Sequence, residues 1–424
     1  MIIHTVQPNE TITSIAEMYG VSTDRLIIDN QIANPNRLVN GQSLVVLFPK
    51  ETYQVQDGDT LVDIAVKHGV SVLELLRNNP QLCNRMYIFP GEELVISFSD
   101  EKLAKISTDG YAFPFIDMNV LYKTLPYLTY LTIFYYQITS SGDLVDIQDS
   151  ELINAAKEYR VAPIMLISTL SDTGITDTDL THRLLSNKDL QEHLINRTIE
   201  IMKTKGYYGV NVDMQFIAQE DRPLFLDFIN IFSTRVKENG FMSMITITPN
   251  TFPEEVGVIY LGPEYSVLGQ YTDSTMLLSY IWGHAYSPQP SLPLAELEAI
   301  MEYITSQIPP EKINIGVPTI GYIWQLPFIP GSSIANAITH NSAIYLASDL
   351  GVDIQRDIAS EAPFFTYMTD KNYIVWFRDV RSISAILAVV VKYNLGGIGT
   401  WNIMQFSTGM WALINAIFEI KKII

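Results

Sequence analysis

The stretch Gly206-Tyr207-Tyr208-Gly209-Val210-Asn211-Val212-Asp213-Met214-Gln215 holds the most concentrated chemistry in the chain. Asn211, Asp213 and Gln215 alternate with Val210, Val212 and Met214. Successive side chains of a strand point to opposite faces, so the three polar groups share one face. Three inward polar groups in a row are costly unless they bond to one another or meet a ligand. Asp213 is the one of the three that can ionise. Gln215 can donate a hydrogen bond, but a carboxamide has no proton to give up near neutral pH.

Such a row needs a sheet to hold it. After residue 100, short β-branched or aromatic runs alternate with helical patterns, which signals parallel βα units. Strands are predicted at residues 106–113, 130–136, 162–168, 209–215, 243–248, 275–280, 313–318 and 397–403, with amphipathic stretches such as 190–205 and 222–238 between them. Eight units predict an α/β fold of (β/α)8 TIM-barrel type over residues 106–424, with the active site at the C-terminal ends of the strands. The gap before the last strand is too long for one helix, so an inserted α+β subdomain is expected at about residues 321–374. Residues 97–105 are polar and read as a linker.

The first hundred residues repeat. Shifting residues 6–30 by 49 positions gives ten identities, among them Thr11/Thr60, Ile15/Ile64, Gly20/Gly69 and Asn30/Asn79. Each copy reads strand, helix, helix, strand, which places one small βααβ domain at 1–49 and another at 50–98. Thr11 and Thr60 sit where a hydroxyl can cap a helix N-terminus, and Asp57-Gly58-Asp59 is good turn chemistry.

Composition narrows the partners. The 424 residues include 27 basic and 46 acidic side chains, a formal net charge of −19, with 47% hydrophobic and 17% charged residues. That is a globular composition. The acidic balance disfavours nucleic acid and anionic membranes, so neither is expected as a partner. A single cysteine, Cys83, allows no internal disulfide and fits a reducing compartment. The N-terminus shows no basic segment followed by a long apolar run, so no signal peptide is expected. The apolar run 385–391 is too short to span a bilayer, which takes ~20 residues. Six histidines, His4, His68, His182, His193, His284 and His340, show no metal-ligand spacing, and neither metal nor cofactor is expected.

The βααβ copies resemble the LysM module. The second, Tyr53-Gln-Val-Gln-Asp-Gly-Asp-Thr-Leu, is near the family's opening motif, and the first is looser, with Pro8-Asn9-Glu10. The resemblance implies recognition of peptidoglycan or another N-acetylglucosamine polymer such as chitin. It also implies a glycan groove between Gly58, Asp59 and Thr60 on one side and Asn79, Pro80 and Gln81 on the other.

Residues 206–215 resemble the D-G-x-D-x-D-x-E signature of family-18 glycoside hydrolases. Phrases such as Asp109-Gly-Tyr-Ala-Phe-Pro-Phe, Ser279-Tyr280-Ile281-Trp282-Gly283, Trp324-Gln-Leu-Pro-Phe-Ile-Pro-Gly331 and Gly399-Thr-Trp401 resemble the spore-associated branch, cortical-fragment-lytic N-acetylglucosaminidases. That family is retaining and substrate-assisted, outside the two-carboxylate rule. The sugar's own acetamide oxygen attacks the anomeric carbon, and one Glu serves as acid and then base. The resemblance gives Asp213 the acetamide-orienting role, Tyr280 the acetamide carbonyl and Trp401 the apolar floor of the sugar site. The signature's first two acids are Tyr208 and Asn211, and its catalytic Glu is Gln215. Ile281 stands where the family usually has an acid.

Two origins account for Gln215: an engineered replacement, or natural drift, which Ile281 favours. Either way, binding without efficient hydrolysis is expected. The resemblance also implies a spore-associated location, in coat or cortex, after cytoplasmic synthesis in the mother cell. The alternatives are a non-catalytic glycan-binding spore coat protein and a chitin-binding protein. Tyr136, Trp282 and Trp324 are candidates for stacking on sugar faces or for rim packing, and His284 for a sugar contact or a plain loop position.

Overall fold

The computed structural model describes residues 1–82, 85, 87–170, 177–214, 217–247, 264–278, 287–289, 294–330 and 332–424.

Each N-terminal copy is a two-stranded antiparallel sheet beneath two helices. In the first, Ile2–Thr5 pairs with Ser43–Val46 around helices Ile12–Tyr19 and Thr23–Asn30. In the second, Pro49–Gln54 pairs with Glu93–Phe98 around Leu61–His68 and Val72–Asn78. The helices begin where the sequence places their caps: Thr11 accepts from the Ser14 N–H and Thr60 from the Asp63 N–H. Ile15, Ala16, Ile64 and Ala65 form the buried inner faces.

The remaining chain closes a parallel barrel. Its strands, in chain order, are Ala104–Ala112, Tyr130–Gln137, Ala162–Ser168, Gly209–Asp213, Met242–Ile247, Ser274–Leu277, Ile313–Pro318 and Gly397–Trp401. Each pairs with the next, and the eighth pairs back onto the first through Gly397↔Ser107 to Thr400↔Gly110. A short C-terminal strand, Phe418–Ile420, also pairs with the start of the first strand, which sequence patterning misses because three residues carry no usable periodicity. Between the seventh and eighth strands lies an antiparallel sheet in the order Asn336–Thr339, Ile320–Leu326, Asn372–Trp376, Pro363–Met368 and Gln355–Arg356, with helix His340–Leu350.

The small domains are bound to the barrel by side chains of its last two long helices, Val380–Lys392 and Thr408–Ile417. Asn415 of the latter accepts from Arg77 at 3.1 Å and donates to Asn78 at 2.9 Å. Asp379, the cap of the former, accepts from Ser43 at 2.7 Å, and Arg381 reaches Thr5 at 3.1 Å. Val45, Leu47 and Leu75 join the barrel's own apolar core. This continuity of core gives the three units a fixed mutual geometry rather than a flexible tether.

Among the described residues no helix is long and apolar enough to cross a membrane.

Candidate functional site

The fourth barrel strand is buried along its whole length. Asn211 is fully enclosed: its amide donates to the Tyr111 hydroxyl at 3.0 Å, and its carbonyl oxygen accepts from Thr246 at 3.1 Å. Asp213, two residues on and on the same face, is 4% exposed. An amide at 211 removes the like charge that a second carboxylate would place beside Asp213.

Trp401 ends the eighth strand half-buried. Its ring packs against Phe134 at 4.8 Å, Tyr111 at 5.8 Å and Phe113 at 6.0 Å. Tyr111, Phe134, Leu166 and Met276 form an apolar cluster beneath it. Gly399 makes room for that cluster, since a Cβ there would meet Met276 at 2.3 Å. The eighth strand thus ends in an aromatic cluster around Trp401, and the fourth ends in the carboxylate of Asp213. Asn402, next to Trp401, lines a cavity of about 220 Å³ that extends to Thr319, His340 and Arg378.

Deeper in the barrel Asp109 accepts from Thr132 at 2.8 Å. Burial pushes its carboxyl up to about 7, against the smaller opposing pull of the Thr132 hydrogen bonds. At that depth the proton relieves the cost of an ion without a cation partner.

Gln215, Tyr280, Ile281, Trp282 and His284, and Cys83 in the second copy, lie outside the described residues. Among the described residues no group of acids, histidines or cysteines could hold a metal ion. Tyr111 and Thr246 complete the mouth and were missed by sequence reasoning. The available signal was alternation: Ser107, Asp109 and Tyr111 share one face of the first strand.

Two aromatic candidates are corrected. Tyr136 has no face open to a sugar, for it is fully buried. Its hydroxyl bonds to Asp149 and accepts from Lys205 at 2.8 Å, while Tyr207 donates to the same Asp149 at 2.5 Å. The cause is a register break between Ile133 and Tyr136. Such a break moves later side chains to the opposite face of the sheet. Trp324 is 1% exposed, inside the inserted sheet with Tyr322, Trp376 and Ala362.

The second copy's groove candidates separate as well. Asn79 is a clamp: its amide donates to the Leu75 and Val95 carbonyls, and its oxygen accepts from the Val95 N–H, each at 2.8 Å. Asn30 repeats the clamp in the first copy on Leu26 and Val45. Asn79 is therefore corrected from a sugar contact to a structural residue, since its amide has no capacity left. Thr60 is occupied as the helix cap. Asp59 accepts from the Gln56 N–H and the Tyr53 hydroxyl, both at 2.8 Å, which holds its carboxyl below the usual range. Gly58 turns the chain at φ +85°, where the first copy uses Asn9 at +69°. Pro80 and Gln81 line a cavity that includes none of Gly58, Asp59 or Thr60.

The model of glycosyl hydrolases family 18 matches residues 99–405, and the LysM domain model matches residues 4–47 and 53–97. The chain is 32% identical over 429 residues to the YdhD protein of Bacillus subtilis (strain 168), covering all of both chains. It is 28% identical over 432 residues to the cortical fragment-lytic enzyme of Bacillus anthracis, covering 99% of each. The crystal structure of the spore cortex-lytic enzyme SleL from Bacillus megaterium QM B1551 superposes with a TM-score of 0.82 at 28% identity, over 100% of this chain and 99% of that one. The chain belongs to glycosyl hydrolase family 18, with two LysM domains preceding its barrel.

Proposed function

We propose that this protein recognises spore-cortex peptidoglycan, that it descends from retaining N-acetylglucosaminidases, and that its turnover is lost or very low. The observation that carries the reading is Gln215 at the signature position of the general acid/base. In the family's chemistry one carboxyl group protonates the leaving oxygen and later takes a proton from water. A carboxamide does neither near neutral pH, and general acid–base catalysis alone supplies about 10²–10⁴-fold. What remains is a binding surface. Trp401 receives the apolar face of the sugar, Tyr280 the acetamide carbonyl, and Asp213 the acetamide N–H.

The substrate class is supported by the pairing of LysM domains with a family-18 barrel and by relatives named for cortex lysis. The same relatives, named for the spore cortex, support a spore-associated place; a coat or cortex position reached after synthesis in the mother cell belongs to the same proposal. Ile281 beside Tyr280 supports a second reading, a wholly non-catalytic coat protein whose barrel has drifted further. Restoration separates the two. The Gln215→Glu variant is incubated with cortex fragments, and new N-acetylglucosamine ends are read by mass spectrometry. Activity at the level of the family supports the first reading, and none at all supports the second. Chitin beads against cortex in a pull-down test the choice of glycan.

A further inference from the structure

The repeat holds a matched pair of turns. With one inserted residue the copies align Gly41 with Gly91 and Leu44 with Leu94, at the entry to the second strand of each. Both glycines sit at positive φ, +81° and +88°. Each donates its N–H to the carbonyl of a valine just past the first strand, Val6 or Val55, at 2.8 Å. The turns are built alike, yet their surroundings differ. A Cβ on Gly91 would meet nothing within 4 Å, and Phe89 beside it is 54% exposed. A Cβ on Gly41 would run into the Ile354 carbonyl oxygen of the inserted subdomain.

Residues 39–43 touch two separate bodies. On the inserted subdomain, the Asn40 carbonyl accepts from the Ile354 N–H at 2.9 Å, and the Asn40 amide donates to Asp353 at 3.0 Å. Val39 is 5% exposed and packs in that subdomain's apolar core with Ile338, Ile354 and Phe365. On the barrel, the Gly41 carbonyl accepts from Arg381 at 3.2 Å, and Ser43 donates to Asp379 at 2.7 Å. The subdomain leaves the seventh barrel strand through Thr319 and returns through residues 377–379 to helix Val380–Lys392. Two short connections of this kind can act as a hinge, and a segment bound on both sides of it resists the motion. Thr319, at the root, donates its N–H to the Trp401 carbonyl at 2.9 Å and its hydroxyl to the Asn402 carbonyl at 2.7 Å. The stance of the subdomain is therefore tied to the end of the eighth strand.

We propose that residues 39–43 are a strut: the first LysM copy faces inward, fixes the inserted subdomain on the barrel and, through Thr319, steadies Trp401, while the equivalent turn of the second copy stays bare. The first copy is then a positioning element of the barrel mouth. Its service to sugar binding rests on the reading of Trp401 above; the strut itself needs no ligand.

Hydrogen–deuterium exchange of the full chain, read by mass spectrometry, tests it with the matched pair. Gly41→Ala and Gly91→Ala carry the same penalty of positive φ, so their difference isolates the contact. Gly41→Ala should speed exchange across Asn336–Thr339 and His340–Leu350 about tenfold or more. The peptide containing Thr319 should follow, and the barrel strand Tyr130–Gln137 should not change. Gly91→Ala should leave all of them at the rate of the unaltered chain. Where Gly41→Ala fails to fold by circular dichroism, Asn40→Ala, which keeps the glycine turn, should raise subdomain exchange about threefold. Unchanged exchange in the subdomain overturns the strut, as does an equal rise in Gly91→Ala or a uniform rise that includes Tyr130–Gln137. A faster subdomain with an unchanged Thr319 peptide overturns the link to Trp401. None of these readouts uses a glycan, so their failure is separate from failure of the unaltered chain to bind cortex fragments, which would overturn the glycan reading.

Discussion

The N-terminal pair and the barrel mouth both carry family marks of glycan recognition, yet they use their polar residues differently. In the small domains Asn30 and Asn79 spend their amides on backbone groups of their own copy. Glu10 and Asp59 likewise hold their turns, through the Gln7 and Gln56 N–H groups. The copies even exchange side chains around those acids: His4 packs on Tyr19 at 5.6 Å in one, and Tyr53 on His68 at 5.1 Å in the other. In the barrel, Asn211 is held by two other strands, through Tyr111, which packs on Trp401, and through Thr246. The difference teaches that the repeated asparagines tie backbone within one small domain, whereas Asn211 ties three barrel strands to one another.

The sharpest break of that comparison is at Gln215. Restoring Glu there should raise hydrolysis of cortex fragments by about 10²–10⁴-fold, measured as released reducing ends. No substitution in the LysM copies should change the chemical step comparably.

Asn79→Ala should act on stability instead. It strands a buried N–H and two carbonyls, so a loss of roughly 3 kcal/mol is expected by chemical denaturation. Asn30→Ala, at a half-buried position, should cost less. If Asn79→Ala left stability intact but removed glycan binding, its assignment as a clamp would be wrong.

Asp109 sharpens the comparison through pH. Its folded carboxyl lies at about 7 against an ordinary 3.8. The folded state therefore holds a proton that the unfolded chain releases between those values. Its contribution is fully present below about pH 4 and is lost as pH rises to 7, an effect on the order of several kcal/mol. Asp109→Asn removes that titration, so stability relative to the variant should fall as pH rises from 4 to 7 and stay level above it. Denaturation midpoints across that window check the sign.

The smallest expected effect is Tyr136→Phe, about 1 kcal/mol of stability from the lost hydroxyl bonds, with glycan affinity unchanged. A loss of affinity there would return Tyr136 to the sugar site.

The barrel strands were legible because each is a short apolar run between helical patterns, and the signature row because alternation leaves Asn211 and Asp213 facing inward. Tyr136 was not legible: one register break reverses its face, and nothing in Tyr130-Leu-Thr-Ile-Phe-Tyr-Tyr136 announces it. Trp324 misled because aromatic residues serve a buried sheet as well as a sugar platform. The docking of the first copy on the inserted subdomain was invisible because Asn40 and Asp353 lie 313 positions apart, a long-range contact without local periodicity.

The central claim is that the barrel holds an amino sugar without the proton needed to cleave its linkage. Mass spectrometry of cortex fragments incubated with the unaltered chain and with Gln215→Glu tests it directly. The account predicts no new N-acetylglucosamine ends with the former and their appearance with the latter. Sustained release by the unaltered chain would contradict it.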